Sequence, residues 1–322
     1  MSSRKFSVAI DRYDRHFPLF LGVVAPQDEF DFDFLEVGMD PPRRYGVDRH
    51  RRMLVDREFD IAEVSLASYL VARDKGMTDI VALPIFPRRL FSQNHIFVSD
   101  RAGIKEPTDL MGRRVAIWAF QVTMSVLAKG DLKRDYRTDW RDIKWLTQHP
   151  EEIEKDYGQD VKIENLPGNF DVEAALRAGE IDAYINPHPP ESLMTPGNGI
   201  SRLFPDWQTT TGEYFAKHKY FPIMHVIAVK SELLDRHPTL SEELVRMFEE
   251  SKAIARSYYV DPNFSTIMHA RNTLEYEMSY YDRDVWTTGL EKNRKNLADF
   301  IGYCFDQKLI SKEPKPDEVF FG

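Results

Sequence analysis

His225 closes the run Phe221-Pro-Ile-Met-His225 on an apolar stretch, a place where an imidazole can donate or relay a proton. The alternative is a core histidine satisfied by its neighbours. His188, held between prolines in Asn186-Pro-His-Pro-Pro190, is a second candidate, against which a solvated turn stands. Arg88 and Arg89 follow the apolar stretch Ile80–Phe86, and a guanidinium there can grip a carboxylate bidentately or pair with an internal acid. Asp11, Tyr13 and Asp14 follow the first apolar run, where they can accept or orient hydroxyl hydrogens. Ser65, Ser68 and Gln121 fall at expected helix starts, whose unpaired amides attract anions. Ordinary capping explains Ser65 as well.

The elements that must position these groups follow an α/β grammar. Phe6, Val8 and Ile10 alternate, and Phe30, Phe32 and Phe34 alternate against Asp31 and Asp33, which predicts two half-buried strands, the second over Glu29–Phe34. A helix is expected from about Tyr45 to Arg57, a strand over Ile61–Leu66, and a helix from there through Ala72. Apolar, β-rich runs at Ile80–Phe86 and His95–Ser99 suit strands buried on both faces, with Pro87–Asn94 as the loop between them. Helix, glycine stop and strand recur at 106–118 and 171–185. A helix is expected from Gln121 to about Lys129, and Thr239-Leu-Ser-Glu242 reads as a capping box opening another. The last long helix is expected from about Asp284 to Lys308, and the residues after Glu313 as a loosely packed tail.

At 322 residues the chain suits two lobes, and 52 acidic against 43 basic residues give a net charge of -9, a poor match to nucleic acid or anionic lipid. Arg43, Arg44, Arg49, Arg51 and Arg52 fall at helical spacing and read as a solvated face. Cys304, the only cysteine, lies on the apolar stripe of the last helix and cannot close an internal disulfide. No metal-ligand spacing such as HxxxH or CxxC occurs, so no metal site is expected. No apolar run reaches signal-peptide or membrane-spanning length, and the expectation is a cytoplasmic protein with no membrane partner.

Asp109-Leu-Met-Gly-Arg-Arg-Val-Ala-Ile117 and Ala175-Leu-Arg-Ala-Gly-Glu-Ile-Asp-Ala183 resemble passages of the type II periplasmic-binding-protein-like fold. The stretches Glu58–Leu70, Phe221–Ile227 and Gly289–Leu297 are more specific. With Asp11-Arg-Tyr-Asp-Arg15, Pro84–Phe91 and Arg202-Leu-Phe-Pro-Asp206, they resemble the 4,5-dihydroxyphthalate decarboxylase family over nearly the whole chain. The resemblance implies two α/β lobes joined by two crossing strands with an interlobe cleft. Lobe one is expected at 1–97 and 225–322, and lobe two at 98–224. It also implies a small aromatic carboxylate as ligand, no cofactor, and a homo-oligomer. The chain departs from the family pattern at Ser92-Gln-Asn94, where Phe-Arg-His-Ser is usual after the arginine motif, and around His188, where Ala-Arg-Ala-Pro is common. Both departures bear on the substrate.

Decarboxylation of a simple aryl acid leaves a carbanion too basic to form near neutral pH. A hydroxyl para or ortho to the carboxylate opens another route: the ipso carbon takes a proton first, and carbon dioxide leaves as the ring rearomatises. In that chemistry His225 is the expected acid or relay, with His188 second. Arg88, Arg89, Ser65, Ser68, Gln93 and Gln121 hold the carboxylates, while Asp11, Tyr13 and Asp14 hold the phenolic hydrogens. The competing expectation is a non-catalytic solute-binding or sensing protein that closes on a small anionic aromatic.

Overall fold

The computed structural model describes residues 5–27, 30–38, 44–158, 161–195, 197–281 and 284–321. The chain divides into two compact units, one of residues 1–88, 225–295 and 314–322, the other of residues 89–224 and 296–313. Relative to the expected lobes, 89–97 and 296–313 fall in the second unit, because the helix Leu290–Asp306 changes unit after Lys295.

The first sheet holds β1 (Phe6–Ile10), β2 (Phe32–Glu36), β3 (Ile61–Ser65), β4 (Ile80–Arg89) and, much later in the chain, β11 (Ile223–Lys230), in the order β2-β1-β3-β11-β4. β1 runs parallel to β2 and β3, and β11 pairs antiparallel to β3 with His225 opposite Ser65. The alternating phenylalanines do form β2, though it begins at Phe32; Glu29 lies outside the described residues. Phe6, Phe30 and Phe32 pack as a ring cluster over Leu240, Leu244, Met247 and Phe248 of the helix Leu240–Ser257. Burying each such side chain is worth about 1.5–3 kcal/mol. β4 runs on through Pro87 to Arg89 where a loop was expected, because an edge strand tolerates prolines that cannot donate to a ladder.

The helix expected over Tyr45–Arg57 shrinks to Arg49–Leu54, since Gly46, Asp48 and Arg57 adopt positive φ and interrupt it. Thr239 caps nothing with its side chain, so the sequence pattern there is not a capping box. The tail is anchored: Val319 and Phe320 are buried, Tyr69 donates to the Val319 carbonyl, and the Phe321 amide donates to Ala82 O.

The second sheet has the order β10-β5-β9-β6-β7-β8, with β5 (Ile96–Ser99), β6 (Arg114–Ile117), β7 (Lys144–Thr147), β8 (Ile163–Asn165), β9 (Ala183–Ile185) and β10 (Ile200–Arg202). β6, β7, β8 and β9 are parallel neighbours, and β5 pairs antiparallel to both β9 and β10. The helix after β6 spans Thr123–Tyr136, a turn and more beyond expectation, and stops at Arg137 in the left-handed region. Its Gly130 lets the Tyr303 ring approach so closely that an added Cβ would lie 2.2 Å from it. Beside that contact, buried Asp131 accepts from Ser92 Oγ at 2.7 Å, Tyr303 OH at 2.9 Å and Tyr214 OH at 3.1 Å. Cys304 is fully buried, as its place on the apolar stripe predicts. Among the described residues no helix is long and apolar enough to cross a membrane.

Candidate active site

In the first unit the ends of β1, β3 and β11 and the short helix Arg49–Leu54 converge on one carboxylate, that of Glu63. Glu63 lies in the middle of β3 and is wholly buried, so its charge has to be met by protein groups. Oε1 receives the Tyr13 hydroxyl at 2.9 Å, faces His225 Nδ1 at 2.5 Å and pairs with Arg49 Nη2 at 3.0 Å. Oε2 accepts the Asp11 amide at 3.2 Å. Arg49, equally buried, also donates to Glu63 O at 2.9 Å, to Val37 O at 2.7 Å and to Asp11 Oδ2 at 3.2 Å. The expectation of a solvated arginine face is therefore wrong at Arg49. Its partners, two buried acids and two carbonyls, lie inside the unit. Arg43 lies outside the described residues.

The electrostatics fix the protonation states. Burial by itself raises the Glu63 carboxyl, but Arg49 and then His225 outweigh it and hold Glu63 well below the usual carboxylate range. Burial drives His225 well below the ordinary imidazole value, against the opposing pull of Glu63. The pair is thus a carboxylate and a neutral imidazole with its proton on Nδ1, leaving Nε2 as the nitrogen that can take up and release a proton. Burial, reinforced by the Glu63 charge, raises Tyr13, so its phenol stays protonated and donating. His16 donates from Nδ1 to Asp11 O at 2.8 Å, and burial lowers it to about 4. His50 meets the His225 ring edge-on, with centroids 4.9 Å apart.

Of the two arginines in β4, Arg89 is 2% exposed and donates to Phe221 O at 2.6 Å, a structural role in the second unit rather than a carboxylate clamp. Arg88 is half-buried, makes no hydrogen bond or ion pair with the described residues, and its charge acts on both Tyr13 and His225. Ser65 accepts from the Ser68 amide at 3.4 Å and from Ser68 Oγ at 3.2 Å, so capping the helix Leu66–Asp74 accounts for both serines. Asp14 accepts from Tyr259 OH at 2.6 Å. It faces a cavity of about 410 Å³ with Arg15 and Trp286, and neither Tyr13 nor His225 lines that cavity.

The remaining expected residues lie in the second unit. The Gln121 side chain exchanges hydrogen bonds with the Ile153 backbone at 2.9 and 3.1 Å, and Glu151 takes the Phe120 and Gln121 amides at 2.9 Å each. That arrangement removes Gln121 and its amide from the set open to a ligand. Gln93 is fully buried beside the Tyr136 hydroxyl. His188 is exposed, with its amide on Asn186 Oδ1 at 3.0 Å. The structure thus brings together Asp11, Tyr13, His225 and, through its charge, Arg88, and adds Glu63, Arg49, His16 and His50, which the spacing of motifs does not single out. One signal was available: a glutamate flanked by Ile61, Ala62 and Val64 in a strand needs a buried cation. Among the described residues, no three His, Cys, Asp or Glu side chains gather in a metal-holding geometry.

These two strand orders define a mixed α/β protein of the type II periplasmic-binding-protein-like fold. The same fold is found in the periplasmic aliphatic sulphonate binding protein of Escherichia coli, with a TM-score of 0.59 at 15% identity over 99% of this chain and 98% of that one. No family model matches the chain. A 4,5-dihydroxyphthalate decarboxylase of Comamonas testosteroni is 30% identical over 99% of this chain and 97% of its own length. A second protein of that name, from Pseudomonas putida, is 28% identical over 68% of this chain and 84% of its own length. The chain belongs to the 4,5-dihydroxyphthalate decarboxylase family.

Proposed function

We propose that the protein decarboxylates 4,5-dihydroxyphthalate or a close hydroxylated relative, giving 3,4-dihydroxybenzoate and carbon dioxide in the named case. The observation that carries this reading is the His225–Glu63 pair, 2.5 Å apart and backed by Arg49, in a chain of the decarboxylase family. Each carboxylate of the substrate lies para to a hydroxyl, so the ring carbon bearing it can accept a proton. The dianion plus one proton gives the product monoanion and carbon dioxide, and the electron pair of the breaking carbon–carboxylate bond restores the aromatic ring.

His225 is neutral without ligand, because burial disfavours its charged form. A doubly negative ring placed beside it reverses that balance, since opposite charge favours the imidazolium. Binding then draws in the proton that His225 Nε2 passes to the ipso carbon, while Glu63 holds the cation from Nδ1. A well-placed acid of this kind contributes roughly 10²–10⁴-fold. Arg88, which has no hydrogen-bond or ion-pair partner among the described residues, is the group suited to a substrate carboxylate, and the protonated Tyr13 is suited to a phenolic oxygen. The route as written draws on no cofactor. Family membership supports a cytoplasmic homo-oligomer.

The test is an assay of purified protein with 4,5-dihydroxyphthalate, following the ultraviolet change to product and gas release together. One carbon dioxide per product formed is expected. Tight binding with the ligand recovered unaltered favours a solute-binding protein on this fold. Silence across a panel of phenolic acids removes the decarboxylase reading.

A further inference from the structure

The cavity of about 410 Å³ that Asp14 faces lies wholly within the first unit, between the helices Leu240–Ser257 and Ala270–Tyr280 and the loop carrying Trp286. Small-molecule sites have volumes of about 300–1,000 Å³. No residue of the helix Ala270–Tyr280 is buried, and its Leu274 and Met278 line the cavity with Ala253 and Ala255 of the longer helix. One turn apart, Leu274 and Met278 share a face, so this helix spreads its apolar stripe over open space rather than over a packed core. Most of the charges around that space are matched. Asp14 takes the Tyr259 hydroxyl at 2.6 Å and pairs with Arg15 at 3.3 Å, and the Arg15 guanidinium carbon lies 4.1 Å and 4.3 Å from the centroids of the Tyr13 and Trp286 rings. Lys252 pairs with Glu249 at 2.9 Å and Asp284 at 3.4 Å. Arg256 and Glu277 are left over. Both line the cavity, and neither side chain makes a hydrogen bond or ion pair with the described residues. Although Glu277 is exposed as a residue, partial burial of its carboxyl raises it, and the Arg256 charge opposes that shift.

We propose that this cavity is a second ligand site, for a free α-amino acid with an apolar side chain: its carboxylate on Arg256, its ammonium on Glu277, and its side chain against Leu274, Met278 and Ala253. A cation and an anion that line one cavity without pairing present two opposite charges, and a zwitterion meets both at once. A simple anion leaves Glu277 facing it, and a simple cation leaves Arg256. The guanidinium suits a carboxylate because its planar fork can donate two parallel hydrogen bonds. The apolar wall selects the side chain, since Leu274 and Met278 gain by being covered. Neither Glu63 nor His225 lines the cavity, and binding here does not depend on the reaction proposed above.

The experiment is calorimetric titration of the full chain with L-phenylalanine and L-leucine, each beside the two analogues that keep its side chain and carry one charge. These are 3-phenylpropanoate and 2-phenylethylammonium for the first, and 4-methylpentanoate and 3-methylbutylammonium for the second. At least one amino acid is expected to bind about tenfold or more tighter than either of its analogues. Arg256→Met and Glu277→Gln should each weaken it by about tenfold or more while leaving the melting temperature of the free protein unchanged. Ala253→Trp, which fills the space from an exposed helix position, should abolish binding. An analogue that binds as tightly as its amino acid overturns the proposal, as does full affinity in Arg256→Met, Glu277→Gln or Ala253→Trp. Failure of both amino acids to bind the wild type overturns it as well. Displacement of the bound amino acid by 4,5-dihydroxyphthalate also overturns it, because the cavity then belongs to the reaction site. Should either charge variant fail to fold, the analogues on the wild type and Ala253→Trp still decide.

Discussion

His225 Nδ1 sits 2.5 Å from Glu63 Oε1, on neighbouring antiparallel strands and away from water. The two residues are 162 positions apart in sequence, and they meet because β11 returns to the first sheet beside β3. A neutral imidazole backed by a carboxylate gains proton affinity when a negative ligand arrives, and the proposed reaction has the pair charge in this way.

His225→Ala is expected to fold normally and to lose at least about a hundredfold in kcat. Glu63→Gln keeps the shape but removes the charge that steadies the imidazolium. Its kcat should fall by a similar factor, and the decline of kcat toward high pH should begin at lower pH than in the wild type, because the imidazolium gives up its proton more readily. A pH–rate profile separates this from a merely structural defect, which lowers kcat without moving that limb.

The two adjacent arginines should respond to alanine in opposite ways. Arg88→Ala removes a cation with no hydrogen-bond or ion-pair partner among the described residues and is expected to raise KM about tenfold or more while leaving thermal stability unchanged. Arg89→Ala empties a buried site and takes one donor from the Phe221 carbonyl, which keeps Asn296 Nδ2 at 2.9 Å, costing about 1–3 kcal/mol in a denaturant melt.

Gly130→Ala places a methyl group against the Tyr303 ring, inside the distance at which atoms can coexist. Tyr303 is also bound to Asp131, so it cannot simply swing away. A loss of about 1–3 kcal/mol is expected, despite the better helix propensity of alanine, and chemical denaturation measures it.

Stability should fall as pH drops from 6.5 to 4. Burial lowers folded His16 to about 4, so within that window the unfolded chain binds a proton that the folded chain does not. The contribution is fully present above about pH 6.5 and is worth up to about 3 kcal/mol. His225 acts in the same direction. Burial raises Asp131 to about 6, and this runs the other way, losing stability as pH rises through the same range. Urea melts of His16→Gln should show a flatter pH dependence than the wild type; an identical slope refutes the assignment.

Much of the fold was legible because periodicity and burial agree. Alternating phenylalanines could only be a half-buried strand, and helix, glycine and strand recur where the second sheet is built. The helix Arg49–Leu54 is shorter than expected because Val47, Met53 and Leu54 suggest one apolar helical face, whereas Gly46, Asp48 and Arg57 adopt positive φ and interrupt it. At the site, His225 stood out as a polar residue in an apolar strand, and Glu63 carried the same signal one strand away. Arg49 could not be told from its surface neighbours, since its burial depends on carboxylates 14 and 38 positions distant. Gln121 and Arg89 looked available to a ligand for a matching reason: their partners, Ile153 and Phe221, are backbone atoms far along the chain.

β4 has a consequence for how this lineage can vary. One peptide bond separates a guanidinium locked to a carbonyl from one left unmatched among the described residues, and successive strand residues face opposite ways. Deleting or inserting a single codon between Ile80 and Arg88 would swap their orientations, stranding an unmatched cation in the interior and wasting the other outside. Length drift is therefore tolerable in the connections on either side of this strand and forbidden within it.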